Sequence, residues 1–221
     1  IEREDYAAAI RWLQQGLAQD QLSSEAAQQD RRNLAQLLVQ QGRYQEAVRL
    51  LEAEGVGNLP LETRRMLVQA YRELKQYRKA IPLAEQIVRA NPAEGGVGLR
   101  ATDLNNLVAM HAQAGAPWQA ARLLNALIKQ KLLPADREHQ LRLAQLWQAS
   151  RDREQALSAW QQLAQQSGDA DYWLQVAYLQ YQQADWPAMQ ATLAQTRSGN
   201  AEQRRQVQSL RNAAAAAQAS P

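Results

Sequence analysis

The chain of 221 residues contains no cysteine and no phenylalanine. Without cysteine it can form no disulfide, no thiolate zinc site and no cysteine nucleophile, and this absence fits the cytoplasm and the periplasm equally. Glycine and proline are scarce, with 10 and 7 residues, and most of them stand between segments of helical periodicity. Breakers in those places favour a series of helices joined by short turns, in which Trp and Tyr supply the bulky core side chains.

Long apolar runs and charge clusters are also missing. No run of 18 apolar residues occurs, so no membrane-spanning helix is expected. The formal net charge is only +3, and arginine and glutamate alternate instead of clustering. Nucleic-acid-binding domains usually concentrate basic residues on one face. We therefore expect neither direct membrane insertion nor a nucleic-acid partner.

Motifs for catalysis and metal binding are absent as well. The sequence has no His-Glu-x-x-His, Gly-x-Ser-x-Gly or Ser-x-x-Lys, and no Gly-Lys-Ser/Thr follows the glycines at 93–98. Only two histidines exist. We expect His111 in a packed position, because it stands where Tyr71 and Trp147 stand in neighbouring units, and His139 in solvent. The sequence thus predicts no enzyme, metal, cofactor or small-molecule substrate.

What the sequence does contain is a phrase that returns about every 35 residues. Leu34, Ala35, Leu38, Tyr44 and Ala47 spell one copy: leucine, a small residue and a large one, then an aromatic and an alanine after a break. The final position recurs at steps of 38, 33, 40, 36 and 33 residues, at Ala9, Ala47, Ala80, Ala120, Ala156 and Met189. Small residues on two crossing helices let the axes approach to about 8–10 Å. The phrase is therefore a packing code.

Apolar residues spaced three and four apart predict the helices themselves. We expect a frayed tail from Ala213 onwards and a loop at 93–98. The first helix has the register of the second helix in a pair, so we expect the chain to be the C-terminal part of a longer array. The predicted helices are 4–19, 25–41, 44–54, 60–75, 77–90, 101–114, 117–130, 136–149, 152–167, 170–183, 186–197 and 201–218.

The period and the phrase resemble the tetratricopeptide repeat (TPR), a helix–turn–helix unit. The resemblance implies an all-α, TPR-like α-solenoid, a right-handed superhelix. It covers about residues 4–197, although glycine never fills the small position of the first helix. On this interpretation residues 1–221 form a single array: the second helix of a truncated repeat at 1–19, repeats at 20–59, 60–98, 99–135, 136–168 and 169–199, and a capping helix with a frayed tail at 200–221.

In this family, positions 2, 5, 9 and 12 of each first helix line a concave groove, where a protein or peptide binds. The Lys/Asn carboxylate clamp of some members is not reproduced. An acidic or carboxylate-ended partner is one interpretation of the groove arginines, and a plain solvated surface is the other. We expect charge reversal at Arg65 to weaken binding and leave folding intact. The resemblance implies these partner-binding residues: Arg32, Gln36, Arg65, Gln69, Arg72, Asn105, Gln145, Tyr178 and Tyr181.

A narrower resemblance involves residues 103–124 (DLNNLVAMHAQAGAPWQAARLL), 153–160 (REQALSAW) and 172–177 (YWLQVA). Together these are similar to periplasmic TPR proteins encoded beside TonB/ExbB/ExbD energy-transduction systems. That likeness implies a non-catalytic periplasmic accessory of envelope assembly or transport. A cytoplasmic peptide-sensing regulator or assembly factor is the alternative. A nucleic-acid-binding helical repeat is a third class, which the balanced charge supports poorly.

Overall fold

The computed structural model describes residues 3–18, 24–89, 100–196 and 200–219. Within these ranges the regular structure is helical, with no strand, and a short 3-10 turn at Val56–Asn58 follows the third helix. The α helices are α1 (Arg3–Ala18), α2 (Ser24–Gln40), α3 (Tyr44–Glu52), α4 (Leu61–Glu73), α5 (Tyr77–Arg89), α6 (Ala101–Gln113), α7 (Pro117–Lys129), α8 (Arg137–Ala149), α9 (Arg153–Ser167), α10 (Ala170–Gln182), α11 (Trp186–Gln195) and α12 (Ala201–Ala219).

The helix bounds predicted from periodicity agree with the structure to within two residues at each end. The last helix, α12, continues to Ala219, and the fraying expected from Ala213 onwards stays a prediction. Alanine has the highest helix propensity of all residues, so an alanine run extends a helix without further support. The loop predicted at 93–98 lies outside the described residues.

The helices belong to two compact units, one ending at Ala114 and the other beginning at Gly115. In the first unit, each helix from α1 to α5 packs on the helix that follows it, and α2 also reaches α4. In the second unit, α7 to α11 pack in the same sequential way, and α12 packs on α10 and α11. The assignment of residues 1–221 to a single array stays a prediction.

The packing code is confirmed, because the small residues of both helices in each pair are buried, as are the large residues between them. Close helix crossings therefore occur where the sequence places small side chains. The buried small positions include Ala35, Ala47, Val68, Ala80, Val108, Ala120, Ala144, Ala156 and Ala177, and the buried large ones include Leu38, Leu51, Tyr71, Leu124, Trp147 and Trp160.

The turn inside each helix pair has one recurring conformation. Its middle residue lies in the left-handed region, with φ of 72°, 56°, 77°, 62° and 57° at Gly42, Lys75, Gly115, Arg151 and Ala184. After α2, the N–H of Arg43 donates to the carbonyl of Leu38 at 2.8 Å, and the equivalent bond closes α4, α8 and α10. This is the Schellman pattern, which satisfies the last carbonyls of a helix. Three of the five turns therefore hold a non-glycine residue in a conformation that favours glycine.

The histidines do not converge with other ligands. The His111 side chain is 17% exposed, as its packed position predicts, and burial lowers its pKa although nearby Glu85 acts in the opposite direction. The expectation that His139 is solvated was wrong. Its side chain is only 12% exposed, because its Nδ1 lies 2.7 Å from the Oδ1 of Asp136. Across the described part of the chain, no group of three His, Asp or Glu side chains is placed to hold a metal ion.

Candidate partner-binding groove

An open cavity of about 340 Å³ lies in the first unit, between α4, α5 and α6. The helices α4 and α6 are the first helices of consecutive pairs, so their outer faces lie side by side along the repeat. The cavity has an apolar part formed by Met66, Val68, Ala84, Ile87 and Met110, and a polar part formed by Glu62, Arg65, Gln69, Arg72, Arg100, Thr102, Asp103 and Asn106.

A bidentate ion pair between Arg65 and Asp103 ties α4 to α6. The Nε and Nη2 of Arg65 donate to Oδ2 of Asp103 at 3.0 and 2.7 Å, and Nη1 donates to Glu62 at 2.6 Å. The side chains of Arg65 and Asp103 are 11% and 13% exposed. Burial lowers the pKa of Arg65, but the hydrogen bonds and charges of Asp103 and Glu62 outweigh burial and raise that pKa. The guanidinium of Arg65 is thus already paired with two carboxylates of the protein.

The arginines at the rim of the cavity are held less firmly. Arg72 donates to the amide oxygen of Asn106 at 2.9 Å and to Glu73 at 2.8 Å. Arg100 donates to Glu62 at 2.9 Å, and both side chains of that pair are about half exposed. Exposed ion pairs of this kind contribute only about 0–1 kcal/mol. A ligand carboxylate can therefore compete for Arg72 or Arg100 at little cost.

Gln69 stands exposed on α4 and lines the same cavity as these two arginines. Its side chain makes no hydrogen bond to any residue that the structure describes. The neighbouring methionines offer flexible, polarizable surface that adapts to different apolar side chains. The cavity thus combines an apolar part that can adapt its shape, the side-chain amide of Gln69, and two arginines, Arg72 and Arg100, for which a ligand carboxylate can compete.

The structure brings Arg65, Gln69 and Arg72 together at this cavity, as the groove interpretation predicts. Asn105 is half-buried on α6 and does not line the cavity, and the adjacent Asn106 receives Arg72 instead. Position 6 of α6 therefore contacts α4 through Asn106.

Arg32 and Gln36 lie on α2 in the same unit. The Nε of Arg32 lies 3.5 Å from Glu54, a carboxylate whose side chain is 5% exposed, whereas Gln36 is exposed. Like Arg65, Arg32 lies beside a carboxylate that is outside its own helix. Val39 on α2 and Leu174 on α10 are buried and offer no surface to a partner.

The remaining predicted residues belong to the second unit. Gln145 on α8 and Tyr178 on α10 are exposed. Tyr181 packs against the core cluster beneath α12 and meets Trp186 edge to face, with ring centroids 5.5 Å apart. Part of the Tyr181 ring is therefore used in packing, because α12 covers the end of α10.

Sequence reasoning missed Asp103, Asn106, Arg100 and the two methionines of the cavity. The groove positions of the repeat family, applied to every first helix, select one face of that helix. In the structure, α6 lines the cavity beside α4 with other residues, at 103, 106 and 110. One signal was available: Asp103 lies 38 residues after Arg65, about one repeat away, with the opposite charge. Charge pairs at the repeat spacing would have located the α4–α6 tie.

No described helix has the combination of length and apolarity that crossing a bilayer requires. No protein-family model matches the chain, and no curated protein matches it. Solved structures do match. A tetratricopeptide repeat protein from Parabacteroides merdae is 16% identical with a TM-score of 0.55, over 98% of this chain and 81% of that one.

Two further matches are similar in extent. MamA from Desulfovibrio magneticus is 16% identical over 84% of this chain and 95% of its own, with a TM-score of 0.51. YrrB, described as a TPR protein with an unusual peptide-binding site, is 16% identical over 86% of this chain and 90% of its own, with a TM-score of 0.50. At such identities the likeness extends to the fold alone. The predicted fold class is confirmed: the chain is an all-α protein with the TPR-like α-solenoid fold.

Proposed function

We propose that this chain is a non-catalytic scaffold that binds a protein or peptide partner in the cavity between α4, α5 and α6. The observation that carries the proposal is the composition of that cavity, an apolar part with two methionines beside a rim of polar groups. Peptide sites commonly combine an apolar pocket for an anchoring side chain with a few polar groups that orient the chain. The peptide-binding site named for YrrB is consistent with the same use of the fold.

The chemistry of the rim defines the ligand further. An apolar side chain of the partner fills the space beside Met66 and Ile87, and Gln69 exchanges hydrogen bonds with the partner's backbone. A carboxylate of the partner takes Arg72 or Arg100 from its exposed protein carboxylate, since guanidinium groups bind carboxylates with good geometry. An acidic or carboxylate-ended partner is therefore supported by these two arginines more than by Arg65.

Arg65 has a different role in this proposal. Because it is bound on two sides by Asp103 and Glu62, it sets the spacing of α4 and α6 and does not bind the partner directly. This geometry replaces the expectation that Arg65 can be reversed without effect on folding. Within the first unit, Arg32 and Gln36 remain candidate contacts for a longer partner, and the assignment of Gln145 and Tyr178 in the second unit stays a prediction.

The proposal is tested by closing the mouth of the cavity. A short peptide selected from a random library on the wild-type protein serves as the probe, and Gln69→Trp places a bulky side chain over the cavity. The matched control is Gln162→Trp, at an exposed glutamine of α9 that belongs to none of the predicted binding residues. We expect Gln69→Trp to weaken binding at least about tenfold by steric exclusion, and Gln162→Trp to change it less than about twofold. Equal affinity of both variants and wild type would place the binding site elsewhere.

For the cellular role we propose a periplasmic accessory of an envelope or TonB-type transport system, with a cytoplasmic peptide-sensing regulator as the alternative. The support is the likeness of residues 103–124, 153–160 and 172–177 to such periplasmic proteins. Osmotic-shock fractionation of cells that express the complete gene product at its natural level is the test. Recovery in the periplasmic fraction, together with crosslinking to a TonB, ExbB or ExbD protein, is expected. Recovery only with cytoplasmic markers contradicts the periplasmic role.

A further inference from the structure

The helix α7 carries a stripe of exposed and half-exposed side chains that the proposed function does not use. Trp118, Arg122, Asn125 and Lys129 follow one another at spacings of four, three and four residues, so they share one face of the helix. This α7 stripe lines a shallow depression of about 340 Å³ between α7, α8 and α9. Most of the depression's lining comes from the second helix α7, whereas the polar part of the cavity described above comes from the first helices α4 and α6 and from Arg100.

Trp118 is the most exposed large apolar side chain of the stripe, with 43% of its surface open. The guanidinium of Arg122 lies over its ring, 4.6 Å from the ring centroid. This cation–π contact orients both side chains before any partner arrives. Ordered, exposed tryptophan and arginine are the residue types that contribute most to binding at protein interfaces.

The two cations of the stripe have no acidic partner in the part of the chain that is described. No carboxylate oxygen there lies within 4 Å of the side-chain nitrogens of Arg122 or Lys129. By contrast, Arg65, Arg72, Arg89, Arg100 and Arg137 all pair with carboxylates. The α7 stripe is thus a place where positive charge is left uncompensated beside an exposed aromatic ring.

One carboxylate does border the depression, that of Asp152. It is half-buried and accepts a hydrogen bond from the backbone N–H of Gln155 as the N-cap of α9. An acid in this place disfavours a polyanion such as nucleic acid, whose phosphates would approach it. A partner whose carboxylates are spaced apart can pair with Arg122 and Lys129 and place an uncharged residue near Asp152.

We propose that the α7 stripe is a second docking surface, which binds an acidic, extended peptide segment of a partner protein. An apolar side chain of the segment stacks on Trp118, and carboxylates pair with Arg122 and Lys129. Arg122 and Lys129 are seven positions apart on α7, which corresponds to a rise of about 10 Å at 1.5 Å per residue. An extended chain covers about 10 Å in three residues. Acidic residues three positions apart therefore match the stripe.

The test uses two synthetic peptides that differ only in charge. The probe is a fluorescein-labelled peptide of five Glu-Leu-Ser repeats, and its isostere has five Gln-Leu-Ser repeats. Fluorescence anisotropy at low salt measures the binding of both to the full chain. We expect the Glu peptide to bind at least about tenfold more tightly, and the difference to shrink with added salt, because screening weakens exposed charge pairs.

Four variants locate the binding. Arg122→Glu together with Lys129→Glu should weaken the Glu peptide at least about tenfold, and Trp118→Ala about fivefold. The control is Arg204→Glu with Arg205→Glu, which changes the net charge equally at two exposed residues of α12 and should leave affinity within about twofold. Gln69→Trp should also leave it unchanged, which separates this surface from the α4–α6 cavity.

Several results would overturn the proposal. They are no binding of the Glu peptide at about millimolar concentration, equal binding of the Gln peptide, and equal weakening by the control pair. Tighter binding of a labelled oligothymidine at the same stripe would assign the surface to nucleic acid instead. A wild-type dimer in sedimentation velocity that Trp118→Ala dissociates would assign it to a second copy of the chain.

Discussion

The two compact units differ in how their helices are capped and in how side chains connect one helix to another. In the second unit, α8, α9, α10 and α11 each start at an aspartate, whose side chain accepts a hydrogen bond from a backbone N–H of the first turn. In the first unit, the residues that precede α3, α4 and α6 are Arg43, Pro60 and Arg100, and none of them makes such a bond.

Side-chain ties between residues far apart in sequence occur in both units, but the Arg65–Asp103 pair of the first unit is more buried than the Arg137–Asp169 pair of the second. Arg65 pairs with Asp103, and Glu52 accepts hydrogen bonds from both Tyr71 and Lys79 at 2.7 Å. These two bonds lower the pKa of Glu52. Local caps stabilise a helix whether or not its neighbours are folded, whereas ties between helices stabilise only the packed state. The comparison teaches that similar repeats can be stabilised locally or cooperatively.

The largest expected effect comes from breaking the long-range tie. Arg65→Glu places a third carboxylate beside Asp103 and Glu62 in a largely buried place, and should destabilise the first unit by about 3 kcal/mol. Arg137→Glu is the matched change in the second unit, where the pair with Asp169 has a 64% exposed arginine; it should cost less than about 1 kcal/mol. Urea unfolding with hydrogen exchange measures both. Equal losses would show that the two kinds of tie do not differ.

A smaller effect is expected in the turns, with opposite signs in the two units. Gly42→Ala should destabilise by about 1 kcal/mol and Ala184→Gly should stabilise by a similar amount, because a side chain is disfavoured at φ of 72° or 57°. A Cβ at Gly42 meets no atom within 4 Å, so the cost there is that of the backbone conformation alone. The midpoint of urea unfolding checks both variants. Shifts of the same sign would contradict the argument.

The smallest effect concerns the caps. Asp185→Ala removes the acceptor for the N–H of Ala188, now at 3.1 Å, and should cost about 1 kcal/mol or less. Arg100→Ala at the N-cap of α6 is the control, and it should change the free energy of unfolding by less than about 0.5 kcal/mol. Amide exchange in the first turns of α11 and α6 reports each effect separately. A larger loss at Arg100 would mean that α6 depends on its surface pair with Glu62.

The sequence predicted those features that depend on spacing along one helix. The buried alanines, such as Ala80 and Ala156, follow from a repeated phrase. Periodicity also placed Gln69 and Arg72 on the exposed face of α4 correctly. These features require no knowledge of how one helix is rotated against the next.

The features that were missed depend on that rotation. That Asn106 is the residue of α6 that accepts from Arg72 depends on the rotation of α6, in which neighbouring residues differ by about 100°, and a repeat pattern does not resolve this angle. Likewise, the partial burial of Tyr181 depends on α12 packing against the core cluster of α10 and α11, and sequence alone gave only a generic capping helix. Contacts between side chains of different helices therefore mark the limit of what the pattern predicts.

The left-handed turn residues also bear on how such a chain can evolve. Every arginine and alanine codon that begins with CG or GC is one nucleotide from glycine, so Arg151 and Ala184 can each be relieved of their backbone conformation by a single mutation. Each change would raise stability without touching a packed or exposed functional position. Substitutions that create a new binding surface commonly destabilise a protein. Single mutations in these turns can thus offset the stability that is lost when other substitutions change partner specificity.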